Sequence, residues 1–428
     1  MTFNLTQRDH RRTGGALSWK RAKNIWPYLI SGFLNHVHVG SISVILPDGK
    51  RIETHTLHPD LHATVIIHDA AALRKLLLGG SIGFFESYIH GHWTSPDLPK
   101  LIEILALNGE NISRRSRGSA PLRMANYLIH RLNRNSRRGS INNIRYHYDL
   151  GNDFYQKWLD RDMIYSSAIF SGDDDLVSAQ ARKIDRIIEL LEISEQESVL
   201  EIGCGWGALT RHIAERKKAR IHGITLSNQQ LNYAQQVIQA SEERSLVSLS
   251  LTDYRDVVDT YDRVVSIEMI EAVGEEFLPN YFSTIKDRLK PGGRAVIQAI
   301  TIDETRYERY KSTPDFIQKY IFPGGFLTTR TMMRRYADLA GLDLCHVEYF
   351  GQSYARTLHE WRARFIKNWP EISRLGYTDS FRNMWEFYLA YCEGGFNAGA
   401  IDVGLYVLKH EQTIAQNPLV QSYNQERV

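Results

Sequence analysis

Ser198-Val199-Leu200-Glu201-Ile202-Gly203-Cys204-Gly205-Trp206-Gly207 decides the fold. An apolar run broken only by Glu201 feeds straight into three glycines at alternate positions. The stretch that follows, Ala208 to Arg216, has helical spacing. A buried strand turning sharply into a helix is the opening unit of an α/β sheet. The glycines stand where a backbone must approach a ligand at the sheet's carboxyl edge, because a Cβ there would collide.

The pattern repeats downstream. Ile221 to Leu226 reads as the next strand and Gln229 to Ser241 as the next helix. Arg263 to Ile267 and Arg294 to Ile300 are two more strands, the latter entered through Pro291-Gly292-Gly293, and Ala400 to Lys409 is a closing strand. Strands alternating with helices predict a parallel, doubly wound sheet. Upstream, Val37 to Ile42 and Val65 to Ile67 read as strands around a turn at Pro47-Asp48-Gly49, and Ala70 to Leu78 and Asp97 to Leu107 as helices. Ser81 to Tyr88, leading to His90-Gly91-His92-Trp93, reads as a packed aromatic turn. Its two histidines lack a ligand set at metal-site spacing, so no metal is expected. The chain therefore divides into a smaller α+β block at 1–110, a linker at 111–145, a catalytic α/β domain at 146–410 with a helical lid insertion at about 301–400, and a polar tail at 411–428.

Composition narrows the class. With 43% hydrophobic and 24% charged residues among 428, bulk disorder is excluded. No apolar run approaches the roughly 18 residues of a membrane span. Arg8, Arg11, Arg12, Lys20 and Arg21 without an apolar core argue against a secretory signal. The sparse, odd set Cys204, Cys345 and Cys392 points to a reducing compartment. We expect a cytoplasmic protein.

The net charge of +3 is unevenly spread: Ile112 to Arg145 holds nine arginines and no acid, carrying +9. Leu122, Tyr127, Leu128, Ile129 and Leu132 are interleaved with Arg123, Arg131 and Arg134, giving a greasy and a basic side at helical spacing. A solvated linker and a membrane-surface helix both fit this pattern; each arginine is worth about 1 kcal/mol at an anionic surface. Nucleic acid is not the expected partner, since no nucleic-acid-binding motif accompanies the charge.

Glu201-x-Gly203-x-Gly205-x-Gly207 resembles the pattern of S-adenosylmethionine methyltransferases rather than that of dinucleotide enzymes. Where an acidic residue often meets the ribose, this chain has Thr225-Leu226-Ser227, so Thr225 and Gln230 must serve. Further motifs then point to one family. They are His147-Tyr148-Asp149-Leu150-Gly151-Asn152-Asp153-Phe154-Tyr155, Tyr165-Ser166-Ser167-Ala168, Glu268-Met269-Ile270-Glu271-Ala272-Val273-Gly274, Phe322-Pro323-Gly324-Gly325 and Ser353-Tyr354-Ala355-Arg356-Thr357-Leu358. Together they resemble the cyclopropane fatty acid synthase family, which includes the mycolic acid cyclopropane synthases.

The resemblance implies a Rossmann-like class I methyltransferase sheet and S-adenosylmethionine as cofactor. It implies transfer of a one-carbon unit to the cis double bond of a phospholipid acyl chain at the inner face of an anionic membrane. It also implies a bicarbonate ion acting as base, and a homodimer. Carried over by position, Tyr165, Ser166, Gly203, Gly205, Thr225, Leu226, Gln230 and Tyr254 line the cofactor site, and Glu271, Tyr354, Gln298, Ser167 and Ile300 hold the base. Two departures stand out: the family's common Cys is Ser167, and the His of many bacterial members is Gln298. Methylene- or methyl-branched products on the same scaffold remain open, as does a lipid-binding protein without catalysis. A soluble small-molecule methyltransferase would need neither the front block nor the basic segment. The aromatics Trp361, Phe365, Trp369, Phe381, Trp385, Phe387, Tyr388 and Tyr391 read as core, with some lining an acyl tunnel, because their segment has no other evident partner.

Overall fold

The computed structural model describes residues 26–54, 61–113, 135–137, 139–140, 143 and 150–411. Most of the basic segment, His147 of the motif ending at Tyr155, and nearly all of the polar tail lie outside the described residues. Among the described residues, no helix is long and apolar enough to cross a membrane. The chain divides into two compact units, one of residues 1–133, 305–323 and 354–401, the other of 134–304, 324–353 and 402–428.

The first unit carries a four-stranded sheet made of β1 (Ser41–Ile45), β2 (Arg51–Glu53), β3 (His62–Ile67) and β4 (Trp93–Thr94), in the order β2-β1-β3-β4. The first strand starts after Gly40, whose positive φ of 74° turns the chain, so Val37 lies ahead of it rather than within it. The aromatic stretch from Ser81 is not a turn. It belongs to helix Ala71–Ile89, which breaks at Gly80 and then resumes. The adjacent glycines 79 and 80 conceal the continuation, but Ile82, Phe85 and Tyr88 keep helical spacing and are buried.

The aromatic-rich helix Asp379–Asn397 finds its partner within this unit. Phe387 lies 4.8 Å from Phe85, and Phe316 lies 4.2 Å from Phe85 and 4.6 Å from Tyr391, centroid to centroid. The segment therefore does have a packing partner, in the front block. Aromatic pairs of this kind add about 0.5–1.5 kcal/mol each beyond area burial.

The second unit carries a seven-stranded sheet: β5 (Ser198–Ile202), β6 (Arg220–Thr225), β7 (Val247–Leu251), β8 (Tyr261–Ile267), β9 (Leu289–Ile302), β10 (Asp343–Tyr349) and β11 (Ile401–Lys409). Their order is β7-β6-β5-β8-β9-β11-β10. Strands β5 to β9 pair in parallel, and β10 pairs antiparallel with β11. This is the Rossmann-like class I methyltransferase arrangement. The sequence reading lacks β7 and β10, whose residues are half-exposed; β10 shows little apolar signal, whereas β7 alternates Val247, Leu249 and Leu251 with serines.

Strand residues alternate between two cores, as a period of two demands. Val264 faces the cluster of Tyr281, Phe282 and Ile285, while Val265 faces Ile184, Ile187 and Ile213. Each fully buried aliphatic side chain contributes about 1.5–3 kcal/mol. Helix Leu176–Leu191 starts at Asp175, which accepts from the Ser178 amide at 2.8 Å. The strand order reverses at β5 and β8, and a crevice opens there at the carboxyl ends of the strands.

Candidate active site

A cavity occupies this crevice, and it brings together all eight residues predicted for the cofactor. Gly203, Gly205, Tyr165 and Ser166 line it, as do Thr225, Leu226, Gln230 and Tyr254. Two glycines do different work. Gly203 has φ 85°, and a Cβ there would stand 3.1 Å from Met269 Cγ. Gly205 has φ 53°, and a Cβ there would meet nothing within 4 Å, since it would project into open space. The turn is pinned by the amides of Gly203 and Cys204, both donating to Ile224 O at 2.9 Å. Asn152 of the opening motif fixes the next residue: its Oδ1 accepts from Trp206 Nε1 at 2.8 Å.

Past β6, Thr225 Oγ1 donates to Gln230 Oε1 at 2.9 Å. Ser227 caps the following helix by accepting from the Gln230 amide at 3.3 Å. Tyr254 packs edge-on to Tyr281 at 5.6 Å, and burial pushes its phenol up to about 12. Its neighbour Asp253 is fully engaged by Arg255, which donates Nε at 2.8 Å to Oδ1 and a second nitrogen at 2.5 Å to Oδ2. An open cavity with a glycine edge, and with the uncharged Thr225, Gln230 and Tyr254 on its wall, fits S-adenosylmethionine, which brings no phosphate to neutralise.

Sequence reasoning missed a buried lysine. Lys183 lines the same cavity and donates to Ser166 Oγ at 2.7 Å. Burial lowers its ammonium to about 8, against the charges of Glu268, Asp160 and Glu201, which raise it. Glu201 is pushed up to about 7 by burial, opposed by the hydroxyl of Thr210 and the charge of Lys183. The signal was legible: Gln180 and Lys183 sit on the apolar face of helix Leu176–Leu191, between Ala179 and Ile184. Polar side chains on a buried face mark a site or a structural pair.

The acidic motif follows β8. Glu268, to which no role was assigned, lines the cavity. Its Oε1 accepts from the Ser167 amide at 2.8 Å and from Gln298 Nε2 at 2.7 Å. Glu271 Oε1 accepts from the Ile300 amide at 2.6 Å. Burial first, and then the charge of Glu268, push the Glu271 carboxyl up to about 8. Two acceptors, Glu271 Oε2 and Gln298 Oε1, are buried with no hydrogen-bond partner among the described residues. Ser167 and Gln298 are themselves fully buried. Glu271, Gln298, Ser167 and Ile300 are thus gathered around two carboxylates. Tyr354 belongs to the other unit, where it is buried with its ring 4.5 Å from Phe396.

This donor set does not suit a bicarbonate ion as it stands. An oxyanion needs donors. The Ser167 amide, the Gln298 amide nitrogen and the Ile300 amide already serve the chain's own carboxylates.

Comparison with known proteins agrees with this architecture. Residues 135–405 match the family described as mycolic acid cyclopropane synthetase. The tuberculostearic acid methyltransferase of Mycobacterium tuberculosis is 38% identical over 362 residues, covering 81% of this chain and 83% of that protein. The cyclopropane-fatty-acyl-phospholipid synthase of Escherichia coli is 32% identical over 343 residues, covering 80% and 86%. A crystal structure of mycolic acid cyclopropane synthase CmaA1, complexed with SAH and CTAB, superposes with a TM-score of 0.60 at 30% identity, covering 63% of this chain and 98% of that one. Coclaurine N-methyltransferase, 20% identical with a TM-score of 0.59, shares the fold. The glycine turn, the sheet order and these likenesses converge, and the chain is an S-adenosylmethionine-dependent methyltransferase that belongs to the mycolic acid cyclopropane synthetase family.

Proposed function

We propose that the chain adds a one-carbon unit to the cis double bond of unsaturated acyl chains in membrane phospholipids, forming cyclopropane fatty acids. The observation that carries this reading is the pairing, in one cavity, of a glycine turn open to a ligand with Glu268, whose carboxylate is tied to the buried cluster behind it. S-adenosylmethionine, when bound, supplies an electrophilic methyl on a sulfonium.

An alkene has no proton to remove before it reacts. The residues therefore serve by holding the double bond in line and excluding water. They serve again at the end, when a proton must leave the alkylated chain. A carboxylate is a suitable acceptor for it. Loss of a proton from the added carbon closes a ring; a hydride shift within the chain before that loss leaves a methylene branch instead, and loss of a chain proton leaves a methyl-substituted alkene. No step here runs through bicarbonate, given the donor set described above.

A branched product is the second reading. The tuberculostearic acid methyltransferase, at 38% identity, favours it. Lipids from cells expressing the protein on labelled methionine decide between them. A mass gain of one CH2 group supports carbon transfer, and NMR separates ring from methylene. Unlabelled lipids would overturn the proposal.

We further propose that the basic segment at 111–145 rests on an anionic bilayer, in keeping with its nine arginines between Ile112 and Arg145. Co-sedimentation with vesicles of phosphatidylglycerol and phosphatidylethanolamine is expected at low salt and lost at high salt. Equal binding to neutral vesicles would count against it.

A further inference from the structure

We propose that Glu268 supplies, from the chain itself, the carboxylate base that the resemblance assigns to a bound bicarbonate ion. This rests on the carbon-transfer reading above. Glu268 follows directly on β8 and holds φ 49°, a left-handed conformation that strains a non-glycine residue. Its amide donates to Gln298 O at 2.9 Å, which fixes that backbone. The chain accepts the strain and thereby places a carboxylate in the wall of the cavity.

That carboxylate takes up two donors expected to hold the ion, the Ser167 amide and Gln298 Nε2. Glu271 takes the third, the Ile300 amide. What the buried cluster leaves over is Gln298 Oε1, an acceptor, and Glu271 Oε2, on a carboxyl that burial raises to about 8. A bicarbonate ion would bring one O–H and a negative charge to a place already holding two carboxyl groups. The ionised Glu268 carboxylate repels a second anion placed beside it. Lys183, buried and bound to Ser166 Oγ at 2.7 Å, lies close enough for charge–charge attraction to Glu268. A nearby ammonium favours the ionised carboxylate.

The chemistry balances without a further reactant. Once the carbon has joined the acyl chain, a C–H bond of the resulting cation breaks and its proton passes to a Glu268 carboxylate oxygen. The electron pair left behind forms the last ring bond or a C=C bond. The neutral carboxyl then returns the proton to solvent. No electron is gained or lost by an outside partner.

Bicarbonate binding separates this from the alternative without relying on turnover. [13C]Bicarbonate titrated into protein loaded with S-adenosylhomocysteine is expected to show no saturable binding to wild type, and saturable binding to Glu268→Gly. Glycine at φ 49° relieves strain and removes the competing carboxylate, so this variant is expected to fold. Saturable, stoichiometric binding to wild type would overturn the proposal.

Turnover on dioleoylphosphatidylglycerol vesicles gives a second readout. Wild type is expected to work equally well in carbonate-free buffer and in added bicarbonate. Glu268→Gln should lose about 10²–10⁴-fold while keeping its S-adenosylhomocysteine affinity, and acetate or bicarbonate should restore part of the rate of Glu268→Gly. A wild-type enzyme that stops in carbonate-free buffer and recovers with bicarbonate, or an undiminished Glu268→Gln, refutes the assignment. Should no alkene lipid be modified even with bicarbonate present, the carbon-transfer reading fails instead, and the NMR titration still decides the anion question.

Discussion

Gly203 and Gly205 are two residues apart in the same turn, yet the structure assigns them opposite failure modes. Replacing Gly203 by alanine forces φ 85° on an L-residue and sets a Cβ 3.1 Å from Met269 Cγ. The backbone term is about 1–2 kcal/mol. The Met269 side chain must also give way, so the sum is about 2–3 kcal/mol. For a domain of this size each kcal/mol moves Tm by about 2–4 °C, so a fall of roughly 5–10 °C is expected. Replacing Gly205 by alanine meets no protein atom within 4 Å and carries only the conformational cost of φ 53°. On the cofactor assignment, its methyl stands in space the ligand needs. A tenfold loss of affinity corresponds to about 1.4 kcal/mol, and at least that is expected. Differential scanning fluorimetry without ligand and calorimetric titration of S-adenosylhomocysteine measure the two effects. Gly203→Ala should fail mainly in stability and Gly205→Ala mainly in affinity. If Gly205→Ala binds within twofold of wild type, the turn is a structural elbow and the cofactor assignment is wrong.

Other perturbations test separate parts of the argument. Glu271→Gln should lower turnover less than Glu268→Gln does, with little change in S-adenosylhomocysteine affinity, because Glu271 positions the Ile300 amide rather than taking the proton; a loss as large as that of Glu268→Gln would make Glu271 the base. The same variant has a pH signature. The Glu271 carboxyl is raised from 4.5 to about 8 in the folded state. The unfolded chain therefore ionises first as pH rises, and this group's contribution to stability falls from pH 4.5 through 8. Urea denaturation should show Glu271→Gln gaining on wild type across that window; parallel curves would mean that the carboxyl is not raised. Gly394→Ala would put a Cβ 2.6 Å from Pro99 O and 2.8 Å from Glu103 N. Overpacking against backbone costs about 1–3 kcal/mol or more, so the Tm should fall, and an unchanged Tm would contradict the packing of Asp379–Asn397 on Leu98–Leu107. Arg186 reaches Glu348 through two nitrogens at 2.8–3.1 Å on a partly exposed surface. Arg186→Ala should cost no more than about 1 kcal/mol, and a larger loss would give this pair a role in anchoring β10.

The sequence alone determined those features whose cause is local. Ser198 to Gly207 declares a strand, a turn and a helix start because alternation and glycine placement act over a few residues. Cavity-lining residues were readable for the same reason, since Gly203, Gly205 and Thr225 lie at strand ends and Gln230 in the first turn of the next helix, where chain direction dictates what faces the crevice. Strand β10 was not readable, because a half-exposed edge strand buries too little to leave an apolar signature; β7 carries the alternation Val247-Ser248-Leu249-Ser250-Leu251, which was legible and was missed. The continuation of helix Ala71–Ile89 past Gly80 and the partner of the aromatic helix Asp379–Asn397 depend on contacts between residues hundreds of positions apart. Only the tertiary structure decided the state of the acidic motif. Both Glu268 and Glu271 are visible in the chain, but whether a carboxylate meets a donor or another charge depends on which amides the fold presents to it. Here β9 and the Ser167 loop supply those amides from 29 to 101 residues away. Charge and hydrogen bonding are governed by distance in space, and no local pattern encodes that distance.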